Sequence, residues 1–379
     1  MPTSSFTRNE WEGALQVTRE RYMQGVVKAA IRNRLFFAML KKKGKFKFNE
    51  GGTDLTWLIE KKQHQPQQLG DGQPIQFVRK SLHKQATIGW RSYQDNDAIT
   101  WRNERQNQGT DALVKLGAQK LEGLGESMKS FLNGQLFEDG YASGNEQAIH
   151  GLESMFGTGT TVAADIIAQP SDTYATLATD IADEGGTWSS DYTTSPNANL
   201  ASDWPFGKST GHHSGTHYDY WSPKVWNWSS TGWNTGGVTW EDNCLLVLRN
   251  AVTCQRRLNG EEGKSDMFLC DDRMLVDLKT ALEPRMRAAV PHKAATDMGF
   301  DSVINYEGLA VDTDFHVPVN SGYGVSTSNM EFCTQTKELF ESYGPHWELT
   351  QLSYLFLTLF LGNVKYKSPK YFWKTTNVA

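Results

Sequence analysis

The sequence predicts an α+β fold with two extended segments and a body that contains both helices and strands. Three observations lead to this prediction. An amphipathic pattern over residues 7–40 predicts a long N-terminal helix, and alternating apolar residues around a polar stretch predict a hairpin over residues 51–100. The strongest helical periodicity follows at residues 110–138. From residue 150 onward, short strand and helix patterns are mixed, so both kinds of element must share the body.

The composition favours broad surfaces over a large core. Hydrophobic residues make up 38% of the 379 residues and aromatic residues make up 12%, so large flat side chains supply much of the apolar content. The length predicts two or three domains. We expect the four cysteines to be reduced thiols, because none forms a Cys-x-x-Cys pair. We expect neither a signal peptide nor a membrane span, because the longest apolar stretch is interrupted by polar residues.

The N-terminal arm is basic. A capping box at Thr7 and Glu10 opens its helix, and residues 1–50 carry a net charge of +7, which leaves −12 for the other 329 residues. Such an asymmetric charge predicts contact with a polyanion. The alternative interpretation is a solvated helix face followed by a basic turn. The residues assigned to the polyanion contact are Lys41, Lys42, Lys43, Lys45 and Lys47.

The predicted hairpin is long and has a polar tip. Leu55, Trp57 and Ile59 alternate on the outgoing strand, residues 63–74 are polar, and the chain returns through alternating apolar residues. A long two-stranded hairpin is only marginally stable by itself, so it needs a surface to lie on. We therefore predict that a neighbouring surface covers Trp57, Ile59, Ile75 and Phe77.

The remaining elements are predicted from shorter patterns. The helix over residues 110–138 would be a rod of about 40 Å, although its glycines weaken it. The patterns that follow are helices near residues 240–257 and 271–283, a hairpin turn at Glu307-Gly308, a last helix near residues 330–343, an apolar run at 352–361 and a basic, aromatic tail at 365–374.

A region rich in tryptophan is the hardest part of the sequence to place. Residues 188–240 hold seven of the 13 Trp, and residues 170–240 carry a net charge of −5. The irregular spacing of these Trp among Gly and Ser predicts an exposed, loop-rich insertion at about 185–240, in which the Trp pin down the loop. A position in a shared core is the alternative, because seven bare Trp side chains would create large apolar patches.

No pattern of catalytic residues stands out. The best candidate for a metal site is His212, His213 and His217 with Asp219, but neighbouring Gly and Ser disfavour the helix that would align two imidazoles. Cys270 precedes two Asp, whose charges raise the pKa of a thiol and so disfavour a nucleophile. We therefore predict no enzyme activity, no catalytic residue, no metal and no cofactor. The alternative is a carbohydrate-active or metal-dependent enzyme that uses the Trp- and His-rich region at 188–240.

Several stretches of the chain, in this order, resemble the major capsid proteins of tailed bacteriophages. They are Phe131–Gly140 with Ile149–Leu152, Tyr218–Pro223, Gly299–Pro318, Gly322–Gly324, and Leu361–Asn363 with Trp373–Asn377. The resemblance covers nearly the whole chain and rests on the order of the elements. It implies the Hong Kong ninety-seven-like capsid fold, which has an N-terminal arm, an extended loop, a peripheral domain with a spine helix, and an axial domain.

The resemblance also divides the chain. The implied parts are an N-terminal arm at 1–50, an extended loop at 51–100, a peripheral domain at 101–149 and 298–350, and an axial domain at 150–297 and 351–379 that contains the aromatic insertion. Some relatives cross-link their subunits through a Lys and an Asn. Lys61, Lys62, Lys80 and Lys84 lie in the matching loop, but no catalytic acid can be identified, so this activity is not carried over.

The function that the resemblance implies is structural. Copies of such a protein assemble as pentamers and hexamers into an icosahedral shell around packaged double-stranded DNA. The hairpin would then cover a neighbouring subunit, and the basic arm would lie on the inner face. Scaffold, portal and decoration proteins are the further partners that the resemblance implies, and a membrane is not among them. Assembly is expected in the host cytoplasm, and the final location is the virion capsid.

Overall fold

The computed structural model describes residues 35–60, 68, 70, 71, 77, 83–106, 110–157, 166–168, 172–179, 221–233, 235–260, 263–282 and 304–377. Its α-helices are α1 Leu35–Lys42, α2 Trp101–Gln106, α3 Thr110–Gln135, α4 Trp240–Asn259 and α5 Asp272–Leu282. Its strands are β1 Phe46–Lys47, β2 Asp54–Glu60, β3 His83–Gly89, β4 Arg91–Thr100, β5 Ile167–Ala168, β6 Thr173–Tyr174, β7 Leu177–Ala178, β8 Lys224–Asn227, β9 Met267–Cys270, β10 Ile304–Tyr306, β11 Leu309–Thr313, β12 Ser321–Val325, β13 Met330–Thr334, β14 Glu341–Glu348, β15 Ser353–Tyr366 and β16 Trp373–Thr376.

A five-stranded sheet is built around the long strand β15. This strand pairs antiparallel with β4 along one edge and with β13 and β14 along the other, while β1 adds in parallel beside β13. Burial alternates along most of β15, as expected for a strand with one face towards a core. Leu121 and Leu124 of α3 pack with Ile99 of β4 and Phe356 of β15, so the long helix is fixed to this sheet.

A seven-stranded sheet forms the second layer, in the order β10-β11-β9-β12-β16-β8-β5. Every residue of β8 and β9 is buried, which is typical of strands that are covered on both faces. Helices α4 and α5 pack on this sheet through a cluster that includes Val247, Leu278 and Phe268. Thr239 caps α4, because its hydroxyl oxygen accepts a hydrogen bond from the backbone N–H of Asp242.

One apolar cluster contains residues of both sheets and of α1. Phe36 lies 5.7 Å, between ring centroids, from Phe137 beyond the end of α3, and Phe37 lies 5.6 Å from Phe332 of β13. The backbone N–H of Phe36 donates to the buried Asp314 carboxylate over 3.4 Å. The start of α1 is therefore held in the body of the protein.

The chain after α3 turns back onto the end of that helix at Gly151. A Cβ atom at this position would lie 2.5 Å from the carbonyl oxygens of both Gln135 and Glu138, so the close approach requires glycine. The backbone N–H of Leu152 donates to the carbonyl oxygen of Leu136 over 2.7 Å and closes the turn.

Most of the sequence-predicted elements are present. The structure confirms the helix at 110–138 as α3, the helices near 240–257 and 271–283 as α4 and α5, and the hairpin turn at Glu307-Gly308 between β10 and β11. Both turn residues have positive φ, of 52° and 83°, as a two-residue hairpin turn of type I′ requires. Of the predicted N-terminal helix, residues 35–40 belong to α1, and residues 7–34 lie outside the described residues.

The last predicted helix, near residues 330–343, is wrong. Residues 330–334 form β13 and residues 341–348 form β14, and both strands pair with β15. Met330 and Phe332 are buried while Glu331 between them is half-buried, which is the alternation of a strand. Pairing with the long strand β15 decided the conformation, because it satisfies the backbone hydrogen bonds of both segments.

Strand pairing also differs from the predicted domain division at two places. Residues 91–100, assigned to the projecting loop, form β4 inside the five-stranded sheet. Residues 353–366, assigned to the axial domain, form β15 in that same sheet, whereas residues 373–376 do join the other sheet as β16. The reason is that β4 pairs with β15 over ten residues, a long-range pairing that the boundaries implied by the resemblance did not take into account.

The aromatic region is not an exposed insertion over residues 221–240. Trp226, Trp233 and Trp240 are buried beside the seven-stranded sheet, and β8 pairs with β16 and β5. The indole N–H of Trp233 donates to the carbonyl oxygen of Asn227, and that of Trp240 donates to Met274, so burial does not leave these groups unpaired. The shared-core alternative is correct for this part of the region, and residues 181–220 lie outside the described residues.

Candidate functional site

The base of the hairpin, β2 with β3, rests on its own chain. Ile59 is buried in the cluster that joins the sheets, and the ring of half-buried Trp57 lies 6.4 Å from that of Tyr174. The Trp57 indole N–H donates to the carbonyl oxygen of Lys367 over 3.0 Å. Trp57 and Ile59, which the sequence assigned to contact with a neighbour, therefore already have partners in their own chain.

Other apolar residues of the hairpin are exposed. Leu58 of β2 is 73% exposed and Phe77 is 94% exposed, while Ile75 lies outside the described residues. Leu58 points away from the covered face, because Leu55 and Ile59 on alternate positions of β2 are buried. Leu58 and Phe77 thus remain available as apolar contact points for another molecule. Sequence alternation alone did not single out Leu58.

A short turn holds the hairpin to the body. The backbone N–H of Thr87 in β3 donates to the carbonyl oxygen of Ala175, between β6 and β7, over 3.1 Å. The N–H of Ala175 donates in turn to the Tyr141 hydroxyl over 3.0 Å. The base of the hairpin therefore has a defined orientation.

The structure separates the five lysines of the predicted basic arm. Lys41 and Lys42 are exposed at the C-terminal end of α1, and Lys47 is exposed on β1. Lys43 Nζ forms an ion pair with Asp266 and donates to the Thr327 hydroxyl over 2.7 Å, so this ammonium group is used within the chain. Its pKa is lowered by burial and by the charge of Lys45.

Two lysines that were not assigned to the basic arm lie beside it. Lys367 Nζ donates to the carbonyl oxygen of Ser328 over 3.3 Å, and Lys45 Nζ donates to the same oxygen over 3.4 Å. Lys365 pairs with Glu331 over 3.3 Å. The signal in the sequence was the basic tail at residues 365–374, but nothing in it showed that the tail meets residue 45.

An acidic cleft of about 500 Å³ lies where the end of α3 meets the seven-stranded sheet. Glu153 accepts hydrogen bonds from Lys374 Nζ over 2.5 Å and from the Tyr323 hydroxyl. Burial, with the charges of Asp139 and Glu153, raises the pKa of Asp172 to about 6. The residues that line the cleft are Phe137, Glu138, Asp139, Glu153, Gly157, Asp172, His316, Pro318 and Lys374. Sequence reasoning missed this cleft, because its acids come from separate segments.

We expect Asp172→Asn to stabilise the fold near pH 7 and to change little near pH 4. The pKa of Asp172 in the folded chain is about 6, above its ordinary value of 3.8. The protonated carboxyl therefore contributes fully to the free energy of unfolding below pH 4, and this contribution is lost as the pH rises through 6 and the carboxyl ionises. The neutral amide avoids that loss, which we put at about 1 kcal/mol after solvent screening. Thermal unfolding at the two pH values measures it. Glu122→Gln, an exposed change on α3, is the control, and an equal gain at both pH values would contradict the titration.

The residues of the enzyme alternative are placed as follows. His212, His213, His217 and Asp219 lie outside the described residues. Among the residues that the structure does describe, no group of three or more His, Cys, Asp or Glu could hold a metal ion. Cys270 is buried, and burial together with nearby carboxylates raises its pKa, as the sequence predicted. None of the helices in the described ranges has both the length and the apolar character needed to cross a membrane.

No family model matches the sequence, and no curated protein matches it either. Solved structures do match. The capsid of Myoviridae Phage XM1 is 11% identical with a TM-score of 0.50, and the match covers 89% of this chain and 92% of that one. The Cyanophage A-1(L) capsid is 11% identical with a TM-score of 0.53 over 88% and 90% of the chains, and the capsid of the native GTA particle is 10% identical with a TM-score of 0.50 over 89% of each. The chain therefore has the fold of tailed-phage capsid proteins, which is the α+β fold class that its sequence predicted.

Proposed function

We propose that this chain is a major capsid protein, which self-assembles as pentamers and hexamers into an icosahedral shell around packaged double-stranded DNA. The observation that carries the proposal is the agreement of fold over about nine tenths of both chains with three capsid structures. The role is structural, without enzyme activity, cofactor or membrane.

Three parts of the structure have a place in this proposal. The five-stranded sheet with α3 as spine helix is the core of the peripheral domain, and the seven-stranded sheet with α4 and α5 is the core of the axial domain. Residues 54–89 are the extended loop, which contacts a neighbouring subunit through Leu58, Ile75 and Phe77. The basic residues around α1 and β1 lie on the inner face towards the DNA.

The enzyme alternative gains no support from the described residues. A sugar-binding platform needs exposed aromatic faces, but Trp221, Trp226, Trp228, Trp233 and Trp240 are all buried. The shell assembles in the host cytoplasm and ends in the virion under this proposal. Scaffold, portal and decoration proteins are further proposed partners.

Electron microscopy of the purified chain tests the proposed function. We expect closed shells or capsomers of five and six subunits at concentrations at which an ordinary enzyme stays monomeric. Scattering or sedimentation at several concentrations supplies the oligomeric state independently. A persistent monomer that gains thermal stability from zinc or from glycans would overturn the proposal and favour the enzyme alternative.

A further inference from the structure

Two lysines from distant segments meet at the carbonyl oxygen of Ser328, and each has a second lysine two residues away in the sequence. Lys45 Nζ and Lys367 Nζ both donate to this oxygen, over 3.4 and 3.3 Å, so the two ammonium groups lie within about 7 Å of each other. Lys365 lies at the end of β15, two residues before Lys367, and Lys47 lies on β1, two residues after Lys45. We call Lys45, Lys47, Lys365 and Lys367 the Ser328 cluster.

The charges of the Ser328 cluster are not balanced. Glu331 lies 3.3 Å from Lys365 Nζ and 3.8 Å from Lys367 Nζ, and in the described part of the chain it is the one carboxylate within 4.0 Å of these ammonium groups. The four lysines thus have one ion-pairing carboxylate among them. The pKa of Lys45 is lowered, first by burial and then by the charges of Lys367 and Lys47, with Glu331 acting in the opposite direction. An added anion would relieve this repulsion.

The backbone holds the cluster in place. The backbone N–H of Lys367 donates to the carbonyl oxygen of Asn329, and that of Phe332 donates to the carbonyl oxygen of Lys45, each over 2.9 Å. Lys365 Nζ lies 5.5 Å above the ring of Trp57. Lys367 is 44% exposed along its side chain and Lys47 is exposed, so an anion can reach a site that is already assembled.

We propose that the Ser328 cluster binds the phosphate groups of double-stranded DNA. The proposal rests on the proposed shell function and names the residues through which the inner face meets its contents. A phosphate group offers several acceptor oxygens to two converging ammonium groups, and lysine binds phosphate as a point charge without regard to base sequence. An acidic protein segment is the competing partner, which the experiment distinguishes.

Fluorescence anisotropy of a short duplex of random sequence tests the cluster in the full-length chain. We compare the unmodified protein with the double variant K45Q/K367Q at about 0.05–0.2 M salt. The double variant should bind at least tenfold more weakly at 0.1 M salt, and its slope of log affinity against log salt should fall by about 2, because two phosphate contacts are lost. The control double variant R273Q/K279Q removes the same two positive charges at exposed positions of α5 and should stay within twofold.

Three further measurements close the test. Lys47→Glu reverses an exposed charge and leaves the hydrogen bonds of Lys45 and Lys367 to Ser328 in place, so it should also weaken DNA binding even if the double variant unfolds. Unchanged DNA binding by folded K45Q/K367Q and by K47E overturns the proposal, and so does tighter binding of polyglutamate than of a duplex of equal charge. Electron microscopy of the same samples separates the two proposals. If the unmodified protein forms no shells but the variants weaken DNA binding as expected, the shell function alone is overturned. If shells form but the variants bind DNA as the unmodified protein does, the role of the Ser328 cluster alone is overturned.

Discussion

Deletion of residues 61–76 should leave a folded chain that no longer forms shells. The seven residue pairs between β2 and β3 remain, and Leu55, Ile59, Ala86 and Ile88 still bury against the body. Shortening the connection changes loop-closure entropy by only about 1 kcal/mol, so the free energy of unfolding should hardly change. Assembly should be lost, because the deletion removes Ile75 and most of the connection through which we propose that the extended loop contacts a neighbouring subunit. Thermal unfolding and electron microscopy of the same sample measure the two effects.

Point variants sharpen the hairpin experiment. Leu58→Ser with Phe77→Ser removes two exposed apolar side chains, each of which would contribute about 2 kcal/mol if a neighbour buried it. We expect the concentration needed for assembly to rise by at least tenfold. Val276→Ser is the matched control, because Val276 is an exposed apolar residue on α5, away from the hairpin. Normal shells from the deletion variant would show that the hairpin is not an assembly element.

Trp373→Ala should be one of the most destabilising single changes in the chain. Trp373 is fully buried, stacks on Phe268 at 5.1 Å between ring centroids, and donates its indole N–H to the Ser265 hydroxyl over 3.0 Å. It also covers Gly324, where a Cβ atom would clash with the indole ring. Loss of this side chain leaves a cavity between β16, β12 and β9, and we expect a cost of about 4 kcal/mol.

Urea unfolding of the Trp373→Ala variant measures that cost. Trp101→Ala is the control, because Trp101 is 48% exposed at the start of α2 and should cost less than about 1 kcal/mol. Trp373→Phe should recover part of the loss, since a ring can still stack on Phe268 although the hydrogen bond to Ser265 is gone. A cost below about 1 kcal/mol for Trp373→Ala would mean that the site collapses and that the stacking is not needed.

Short-range patterns were sufficient where one element buries one regular face. The apolar repeat that includes Leu124, Met128 and Leu132 predicted α3 to within a few residues, and Glu307-Gly308 predicted the turn between β10 and β11. The same reasoning failed at residues 330–343, where apolar residues fit a helix about as well as a strand. There the partner strand β15 decided the outcome.

The candidate surfaces were predictable only in part. The charge of the arm pointed to Lys41 and Lys47, and these lysines are exposed. The hairpin was predicted as an element, but which of its residues stay uncovered was not, because Trp57 and Ile59 meet segments far away in the sequence. Burial of a strand face depends on what lies opposite, and alternation cannot show that.

The sequence by itself determined the elements whose apolar residues or turn residues repeat at a clear spacing. It also determined the basic charge of the N-terminal arm and the order of the elements, from which the capsid fold was predicted. Only the tertiary structure decided that Lys45 meets Lys367, that Trp226 and Trp233 belong to the core, and that β15 joins the sheet of β4. The physical reason is the separation along the chain between the residues that interact. Helix and strand periodicity arises from neighbours within a few residues, whereas these contacts join distant segments whose pairing is set by the shared burial of many side chains at once.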